Sequence, residues 1–313
     1  MTFRILITDN DLGDSELETG LISASLSAEV TVRSCKTEQE VLAAVAEIQP
    51  HGIIVQWAPI TKAVLLAATS LKVISRIGIG IDMIDVEAAE AAGVDVRNVP
   101  HYCIEEVATH AFAIGLSLWR QLPQLDADIR SGLWNAAATA PKIKKLSEST
   151  IGLIGLGRIG TIVAQHYASW GARVLVHDPF VGTDGFERVT LEQLASQSDL
   201  ISLHAPLLAD TFHVVNEDFL NQCAKKPIIV NTSRGPLIDA EHLALALHDG
   251  RIGGAGLDVF EAEPLTKNDA LRNAPNTILT PHAAWCSVAA LPELRRQAAG
   301  NIVDFFSKPT AAR

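Results

Sequence analysis

Three side chains that could act together on a small anionic substrate follow three successive apolar runs of this chain. Because the carboxyl ends of parallel strands meet at one edge of an α/β sheet, side chains placed there converge. A second glutamate, Glu261, precedes one of the three by two residues and is an alternative to it. The three candidates are Arg234 after residues 228–231, Glu263 after residues 256–259 and His282 after residues 277–280.

These residue types suit the reduction of a 2-oxo acid. Hydride attack on a carbonyl carbon leaves negative charge on the oxygen, and a histidine can donate the proton that relieves it. A carboxylate beside the histidine favours its protonated form and orients its ring. The planar guanidinium of Arg234 suits a bidentate contact with a substrate carboxylate. Taken singly, Arg234 also fits an ordinary loop ion pair, and His282 fits a contact with a helix end.

A glycine motif predicts where the hydride donor binds. An apolar strand at residues 150–154 runs into three glycines spaced G-x-G-x-x-G and then into a helix. The first glycine permits a tight turn, the second lets the backbone approach a pyrophosphate, and the third lets the helix pack on the strand. Free amides at the N-terminus of the helix then face the phosphates. The cofactor-binding candidates of this segment are Gly155, Gly157, Arg158, Ile159 and Gly160.

A second apolar strand, residues 173–177, ends in Asp178. This carboxylate can accept hydrogen bonds from the two hydroxyls of an adenosine ribose. A 2′-phosphate at the same place would meet a like charge, and no arginine follows Asp178 directly. We therefore expect the cofactor to be NAD rather than NADP.

The composition narrows the remaining possibilities. A chain of 313 residues with 48% hydrophobic and 19% charged residues can form about two domains with large cores. The formal net charge of −11 argues against nucleic acid as a partner. No apolar run of about 18 residues is present, so we expect no membrane span. The four cysteines form no C-x-x-C pair and the ten histidines form no cluster, so we expect no metal and a cytoplasmic protein.

Short apolar strands alternate with amphipathic helices twice along the chain, which predicts two doubly wound α/β sheets. A long helical stretch over residues 104–133, kinked or broken at Pro123, separates the two series. The predicted strands are 4–8, 30–34, 52–56, 72–76 and 95–98, then 150–154, 173–177, 200–204, 228–231, 256–259 and 277–280. The predicted helices include 38–49, 86–92, 159–170, 191–197, 239–249 and a final helix at 287–306.

Several motifs in this order resemble the D-2-hydroxyacid dehydrogenase family over nearly the whole chain. They are G-L-G-R-I-G at 155–160, H-A-P-L at 204–207, V-N-T-S-R-G at 230–235, G-L-D-V-F at 256–260, Glu263-Pro264 and Pro281-His282. The resemblance implies that Arg234, Glu263 and His282 are catalytic, and it favours Glu263 over Glu261.

The resemblance also implies a domain arrangement. An NAD-binding Rossmann domain, residues 100–283, would be inserted in a discontinuous substrate-binding domain formed by residues 1–99 and 284–313. Family members usually dimerise through the cofactor domain, so we expect a homodimer. Further cofactor contacts are expected from His204, Pro206, Thr232 and Asp258.

One segment is similar to the substrate loop of the family, and another resembles the branch of the family that includes the C-terminal-binding proteins. In the run from Arg76 to Asp85, Arg76 would contact a substrate carboxylate, and Gly78 and Ile79 would belong to the substrate loop. In Pro281-His282-Ala283-Ala284-Trp285, the tryptophan would contact the substrate side chain. From spacing alone, the glycines of the first segment fit a plain strand-to-helix turn equally well, and Trp285 fits a core aromatic. Thr109 departs from the family pattern, since an acid often stands there.

The sequence thus predicts an NAD-dependent oxidoreductase that interconverts a 2-oxo acid and a D-2-hydroxy acid, with His282 as acid and base. One alternative is an NAD(H)-sensing, corepressor-like interaction protein on the same fold. A second is an enzyme of the same fold that acts on a phosphorylated or phosphono acid.

Overall fold

The computed structural model describes residues 2–134, 136–182 and 185–307. These residues form two compact units. The first unit comprises the residues up to Tyr102 together with those from Ser287 onward, and the second is Cys103–Cys286. The two predicted domains include residues 1, 135, 183, 184 and 308–313, which lie outside the described residues.

The first unit contains a five-stranded parallel sheet in the order β2-β1-β3-β4-β5. Its central strands β3 and β4 are buried along their whole length because helices cover both faces of the sheet. The strands are β1 (Phe3–Ile7), β2 (Ala28–Val32), β3 (Gly52–Val55), β4 (Val73–Arg76) and β5 (Asp95–Arg97). The helices between them are α1 (Glu16–Ser25), α2 (Glu38–Ile48), α3 (Lys62–Ala67) and α4 (Val86–Ala91).

The second unit contains a seven-stranded parallel sheet in the order β12-β11-β10-β9-β6-β7-β8. Its strands are β6 (Thr150–Ile154), β7 (Arg173–His177), β8 (Glu187–Arg188), β9 (Leu200–Leu203), β10 (Ile228–Asn231), β11 (Gly254–Leu257) and β12 (Thr277–Leu279). Its helices are α5 (Ile104–Trp119), α6 (Leu122–Arg130), α7 (Ala136–Thr139), α8 (Arg158–Ser169), α9 (Leu191–Gln197), α10 (Glu217–Asn221) and α11 (Ala240–His248). The strand order reverses between β6 and β9, and in open α/β sheets ligands bind at such a reversal.

Close packing of helix on sheet fixes the second unit. A Cβ atom added at Gly256 would lie 2.0 Å from Cγ2 of Ile114, so the missing side chain lets α5 pack directly on β11. Apolar clusters fill both faces of the sheet. The carboxyl ends of β10, β11 and β12 are thereby held at one edge, where the candidate side chains follow.

The last helix, α12 (Ala290–Ser307), returns to the first unit. Arg295 of α12 forms an ion pair with the buried carboxylate of Glu18, with an Nη2–Oε2 distance of 2.7 Å. Oγ of Ser75 in β4 donates to the carbonyl of Ala298 at 2.8 Å. The final helix is therefore part of the core of the first unit.

The predicted helical stretch over residues 104–133 is broken, as its proline indicated. α5 ends at Trp119, Gln121 adopts a left-handed conformation with φ of +55°, and Pro123 lies in the first turn of α6. The helices α1, α3, α7 and α10 and the two-residue strand β8 were not predicted from the sequence. No helix in the described part of the chain combines the length and the apolarity needed to cross a membrane.

Candidate active site

A histidine and a carboxylate meet at the carboxyl edge of the seven-stranded sheet. Nδ1 of His282, which follows β12, lies 2.8 Å from Oε2 of Glu263, which follows β11. The other oxygen of Glu263 accepts a hydrogen bond of 2.9 Å from the amide of Phe260. Both side chains are half-buried. The pair therefore has the geometry of an imidazole oriented by a carboxylate.

Several groups determine the charge of Glu263. Burial alone would raise its pKa, but the hydrogen bond and charge of His282 act in the opposite direction. The Phe260 amide and the nearby charge of Arg234 add to this effect, so the pKa of Glu263 lies below its usual value. Glu263 is therefore a carboxylate at neutral pH, and all three catalytic candidates lie in one neighbourhood of the second unit.

Asp258 holds the backbone that carries His282. The amide of His282, a residue with φ of +51°, donates to the carbonyl of Asp258 at 2.8 Å. The buried Asp258 carboxylate accepts hydrogen bonds from the amides of Ala283 at 2.8 Å and Ala284 at 2.9 Å, and from the hydroxyl of Thr280. The contacts of Asp258 are thus with the His282 loop, and its expected contact with the cofactor stays a prediction.

Asn231 shapes the loop that carries Arg234. Its buried side chain donates to the carbonyl of Arg234 at 2.8 Å and accepts from the amide of Ser233 at 3.0 Å. Oγ of Ser233 in turn donates to the carbonyl of Leu203 at the end of β9. The sequence analysis did not single out Asn231, although it lies within the V-N-T-S-R-G motif.

Gly235 brings two of these loops together. A Cβ atom at this position would lie 1.9 Å from the carbonyl carbon of Phe260 and 2.4 Å from the nitrogen of Glu261. Only glycine permits this approach, so the backbone after Arg234 packs directly on the backbone before Glu263. In the sequence, the glycine directly after Arg234 is the feature that indicates this close contact.

The glycine motif forms the turn between β6 and α8. Gly155 has φ of +93°, and a Cβ there would lie 2.7 Å from the backbone of His204 and Ala205. A Cβ at Gly160 would lie 2.5 Å from the carbonyl oxygen of Gly155. At Gly157 a Cβ would meet nothing within 4 Å, so open space lies beside the backbone that begins α8. This opening fits the pyrophosphate of a dinucleotide.

Arg158 and Ile159 form the first turn of α8, with Arg158 exposed. Asp178 follows β7, and its Oδ2 accepts from the amide of Leu156 at 2.8 Å. Its Oδ1 accepts from the amides of Phe180 at 2.9 Å and Val181 at 3.1 Å. Burial would raise the pKa of Asp178, but these amides and the charge of Arg188 lower it. The acid therefore lies beside the glycine turn as an anion.

The remaining cofactor candidates follow β9 and β10. Nε2 of His204 lies 2.8 Å from Oγ of Ser202, and burial lowers the pKa of His204 from 6.5 to about 4. Nδ1 of His204 and Oγ1 of Thr232 are buried polar atoms without a hydrogen-bond partner among the described residues. Pro206 is exposed beyond the same turn. The two unpartnered atoms are a further reason to place a polar ligand here.

The substrate-binding candidates are divided between the units. In the first unit, the guanidinium carbon of Arg76 lies 5.1 Å from the ring centroid of Trp57. Gly78, with φ of +140°, leaves the space that the buried guanidinium of Arg76 occupies. The carbonyl of Ile79 accepts from Asn98 at 2.6 Å. Trp285 lies in the second unit, in the loop after β12.

One residue of α5 also bears on the site. Nε2 of His110 lies 3.1 Å from Oγ1 of Thr280 and 3.7 Å from Oδ1 of Asp258. His110, which supports the loop of His282, was not predicted from the sequence. Oγ1 of its neighbour Thr109 donates back to the carbonyls of Glu105 at 2.8 Å and Glu106 at 3.0 Å in its own helix.

A doubly wound sheet with a glycine turn, an adjacent acid and a paired imidazole defines a dinucleotide-dependent α/β protein. Residues 112–284 match the family model described as D-isomer specific 2-hydroxyacid dehydrogenase, NAD binding domain. The chain therefore belongs to the family of NAD-dependent D-2-hydroxyacid dehydrogenases, and its cofactor is NAD.

Three proteins illustrate the relationship. The chain is 37% identical over 254 residues to a glyoxylate reductase from Korarchaeum cryptofilum, covering 79% of this chain and 76% of that protein. It is 38% identical over 267 residues to a D-3-phosphoglycerate dehydrogenase from Mycobacterium bovis, covering 83% of this chain but 50% of that protein. A crystal structure of D-lactate dehydrogenase from Aquifex aeolicus with NAD and lactic acid has a TM-score of 0.85 at 27% identity, covering 96% of this chain and 95% of that one.

Proposed function

We propose that this chain interconverts a 2-oxo acid and a D-2-hydroxy acid, with His282 as the acid and base. The observation that carries the proposal is the 2.8 Å contact between Nδ1 of His282 and Oε2 of Glu263. This contact joins an imidazole to a charged carboxylate, next to Arg234, within an NAD-binding fold. Nothing among the described residues favours the alternative of a protein that senses NAD without turnover.

Each member of the trio has a separate task. His282 gives its proton to the substrate oxygen during reduction and takes it back during oxidation. Glu263 fixes the orientation of the ring through Nδ1 and places a negative charge beside it. Arg234 binds the substrate carboxylate with its planar fork and draws charge towards the carbonyl oxygen. Bound NADH supplies the hydride.

We propose that residues 100–283 bind the cofactor. The glycine turn at Gly155, Gly157 and Gly160, with Arg158 and Ile159, would hold the pyrophosphate at the N-terminus of α8. Asp178 would accept hydrogen bonds from the adenosine ribose. The residues left to line the rest of the cofactor site are His204, Pro206, Thr232 and Asp258.

We propose that residues 1–99 and 284–313 bind the substrate. Arg76 would contact a carboxylate, Gly78 and Ile79 would form the substrate loop, and Trp285 would limit the size of the side chain. These assignments rest on the similarity of the first segment to the family's substrate loop and on the likeness of the segment from Pro281 to Trp285 to the branch that includes the C-terminal-binding proteins.

The first substrates to test are small 2-oxo acids. The Korarchaeum cryptofilum relative carries the name glyoxylate reductase, so glyoxylate is the first substrate to test. A phosphorylated 2-oxo acid belongs in it because the Mycobacterium bovis relative is a D-3-phosphoglycerate dehydrogenase. We place the phosphorylated acid lower because basic side chains of the first unit already have partners: Arg4 binds main-chain carbonyls, Arg33 pairs with Glu47 and Arg97 pairs with Asp95.

The experiment follows NADH consumption by absorbance with glyoxylate, pyruvate, hydroxypyruvate and a phosphorylated 2-oxo acid. We expect turnover of at least one unphosphorylated acid. His282→Ala should lower kcat by about 10²–10⁴-fold, the range for loss of a general acid. His248→Ala, at an exposed histidine of α11, is the control and should keep wild-type kcat. Near-normal turnover by His282→Ala, or no turnover by wild type, would overturn the proposal.

We propose that the chain is a homodimer in the cytoplasm. No residue of α6 is buried, and Leu122 and Ile129 of this helix are 51% and 54% exposed. Leu133 and Trp134 extend the apolar surface at 58% and 90% exposure. A surface of this kind indicates a protein partner, and a second copy of the chain would cover it. No disulfide joins the cysteines in the described part of the chain, which supports a reducing compartment.

Light scattering after size exclusion tests the dimer. We expect a mass of about twice 33.5 kDa for wild type and a shift towards 33.5 kDa for Ile129→Asp. Leu66→Asp, at a leucine 69% exposed in α3, is the control and should leave the mass unchanged. A wild-type monomer would contradict the dimer.

A further inference from the structure

A second histidine–carboxylate pair lies on the segment that carries Glu263. Nε2 of His213 contacts Oε1 of Glu261 in a short hydrogen bond. Glu261 precedes Glu263 by two residues, so one short segment has two histidine partners. His213 comes from the loop after β9, which is separate from the strands that carry the catalytic candidates.

His213 is itself firmly placed. Its backbone has φ of +48°, a conformation that non-glycine residues seldom adopt. Its amide donates to the carbonyl of Pro236 at 2.9 Å, and its ring stacks on Phe212 at 4.0 Å between centroids. Nδ1 lies 3.7 Å from Oδ2 of Asp239. The ring is therefore held in a fixed position towards Glu261.

Asp239 connects this pair to the body of the second unit. It caps α11 by accepting from the amide of His242 at 3.1 Å, and it pairs with Nδ1 of the same residue at 2.8 Å. Burial would raise the pKa of Asp239, but its bonds with His242 and the charges of His242 and His213 lower it. Glu217 of α10 lies 3.4 Å from Nε2 of His242 and completes the cluster.

Glu261 lies at the point where the two catalytic loops touch. The backbone of Gly235 packs against Phe260 and Glu261 with no room for a Cβ. The amide of Phe260 holds Oε1 of Glu263. A displacement of Glu261 would therefore move both the amide that orients Glu263 and the backbone next to Arg234.

We infer that His213 and Glu261 form a latch that positions Glu263 for the reaction. The inference rests on the proposed function, because the latch acts only through Glu263 and Arg234. His213 and Glu261 are positioning residues, and neither is assigned a contact with substrate or cofactor.

Three variants test the latch. Glu261→Ala and His213→Asn each remove the contact, and asparagine tolerates the positive φ at position 213. Each should lower kcat by about ten- to a hundredfold, because small displacements of a catalytic group are costly. The affinity for NADH should stay unchanged. Glu261→Gln keeps an acceptor for His213 and should restore most of the activity.

The double variant distinguishes one shared role of His213 and Glu261 from two independent roles. Because both single changes break one contact, Glu261→Ala combined with His213→Asn should lower kcat no further than either alone. Glu217→Ala is the control, since it removes a carboxylate from the cluster without touching Glu261. The inference would be overturned if the losses of kcat in the two single variants multiplied in the double variant. It would also be overturned if Glu217→Ala lost as much kcat as the single variants.

Hydrogen exchange gives a readout that does not depend on turnover. Glu261→Ala should speed exchange of the Phe260 amide, whereas the Ala283 amide, bound to Asp258, should exchange as in wild type. Unchanged Phe260 exchange would overturn the latch. Wild-type inactivity on all 2-oxo acids would overturn the proposed function, and faster Phe260 exchange would then still support the contact as a positioning device.

Discussion

The two carboxylate oxygens of Glu263 have different partners. One accepts from the Phe260 amide and the other contacts His282, so the side chain cannot turn without losing a bond. Its lowered pKa keeps it charged well below neutral pH. A fixed negative charge therefore lies beside the imidazole that we propose as the proton donor.

The charge of Glu263 can be removed while its shape is kept. Glu263→Gln should lower kcat for reduction by about ten- to a hundredfold, because the charge beside His282 is lost and the amide holds the ring less well in place. The measurement is kcat with a 2-oxo acid at saturating NADH. Glu261→Gln, two residues away, should keep most of the wild-type kcat, and equal kcat in Glu263→Gln and wild type would contradict the assignment.

The sequence pattern left Glu261 and Glu263 as alternatives because both follow the same strand. The structure pairs Glu263 with His282 and Glu261 with His213, through contacts that span 19 and 48 residues of the chain. Local spacing carries no information on such pairs. His110 was missed for the same reason, since its contact with Thr280 spans 170 residues.

At the scale of elements, two glycines of the turn between β6 and α8 have different roles, one in folding and one in ligand binding. Gly155 packs on the backbone of His204 and Ala205, whereas Gly157 faces open space. The first glycine is therefore required by the fold, and the second is available to a ligand.

Two alanine variants should show this separation. Gly157→Ala should fold with a wild-type Tm but bind NADH about tenfold more weakly, because the new methyl group lies where the pyrophosphate approaches. Gly155→Ala should lose about 1–3 kcal/mol or more of stability, because its φ and its close contacts exclude a side chain. Calorimetry and fluorescence titration measure the two effects, and equal NADH affinity in Gly157→Ala and wild type would refute the assignment.

Apolar runs of four or five residues predicted both sheets because their central strands are buried on both faces. The short helices α3 and α10 were not predicted. Helices of five or six residues have little intrinsic stability and form because the surrounding structure supports them. The break between α5 and α6 was predictable since Pro123 marks it locally.

At the scale of the whole molecule, His204 links stability to pH. Its folded-state pKa of about 4 lies below the ordinary value of 6.5 because the ring is buried. Between these two values the unfolded chain binds a proton that the folded protein excludes. Stability from this residue is therefore present above pH 6.5 and is lost as the pH falls towards 4.

His204→Gln should reduce the loss of stability at acid pH while keeping a hydrogen-bond partner for Ser202. Between pH 6.5 and pH 4, wild type should lose about 3 kcal/mol more free energy of unfolding than the variant. Urea titrations at a series of pH values give the difference, with His248→Gln as an exposed control. Parallel pH curves for wild type and His204→Gln would contradict the buried neutral imidazole.

The place of Arg76 beside Gly78 should make the effects of substitutions at these two positions depend on each other. A methyl group at position 78 would coincide with the guanidinium of Arg76, at 1.2 Å from Nη1. The positive φ of Gly78 strains any side chain there, and replacing the arginine by a shorter residue removes only the additional clash, which is a case of epistasis. Relatives that have lost one of the two residues should tend to have lost the other, and libraries built to change substrate preference should vary both codons at once.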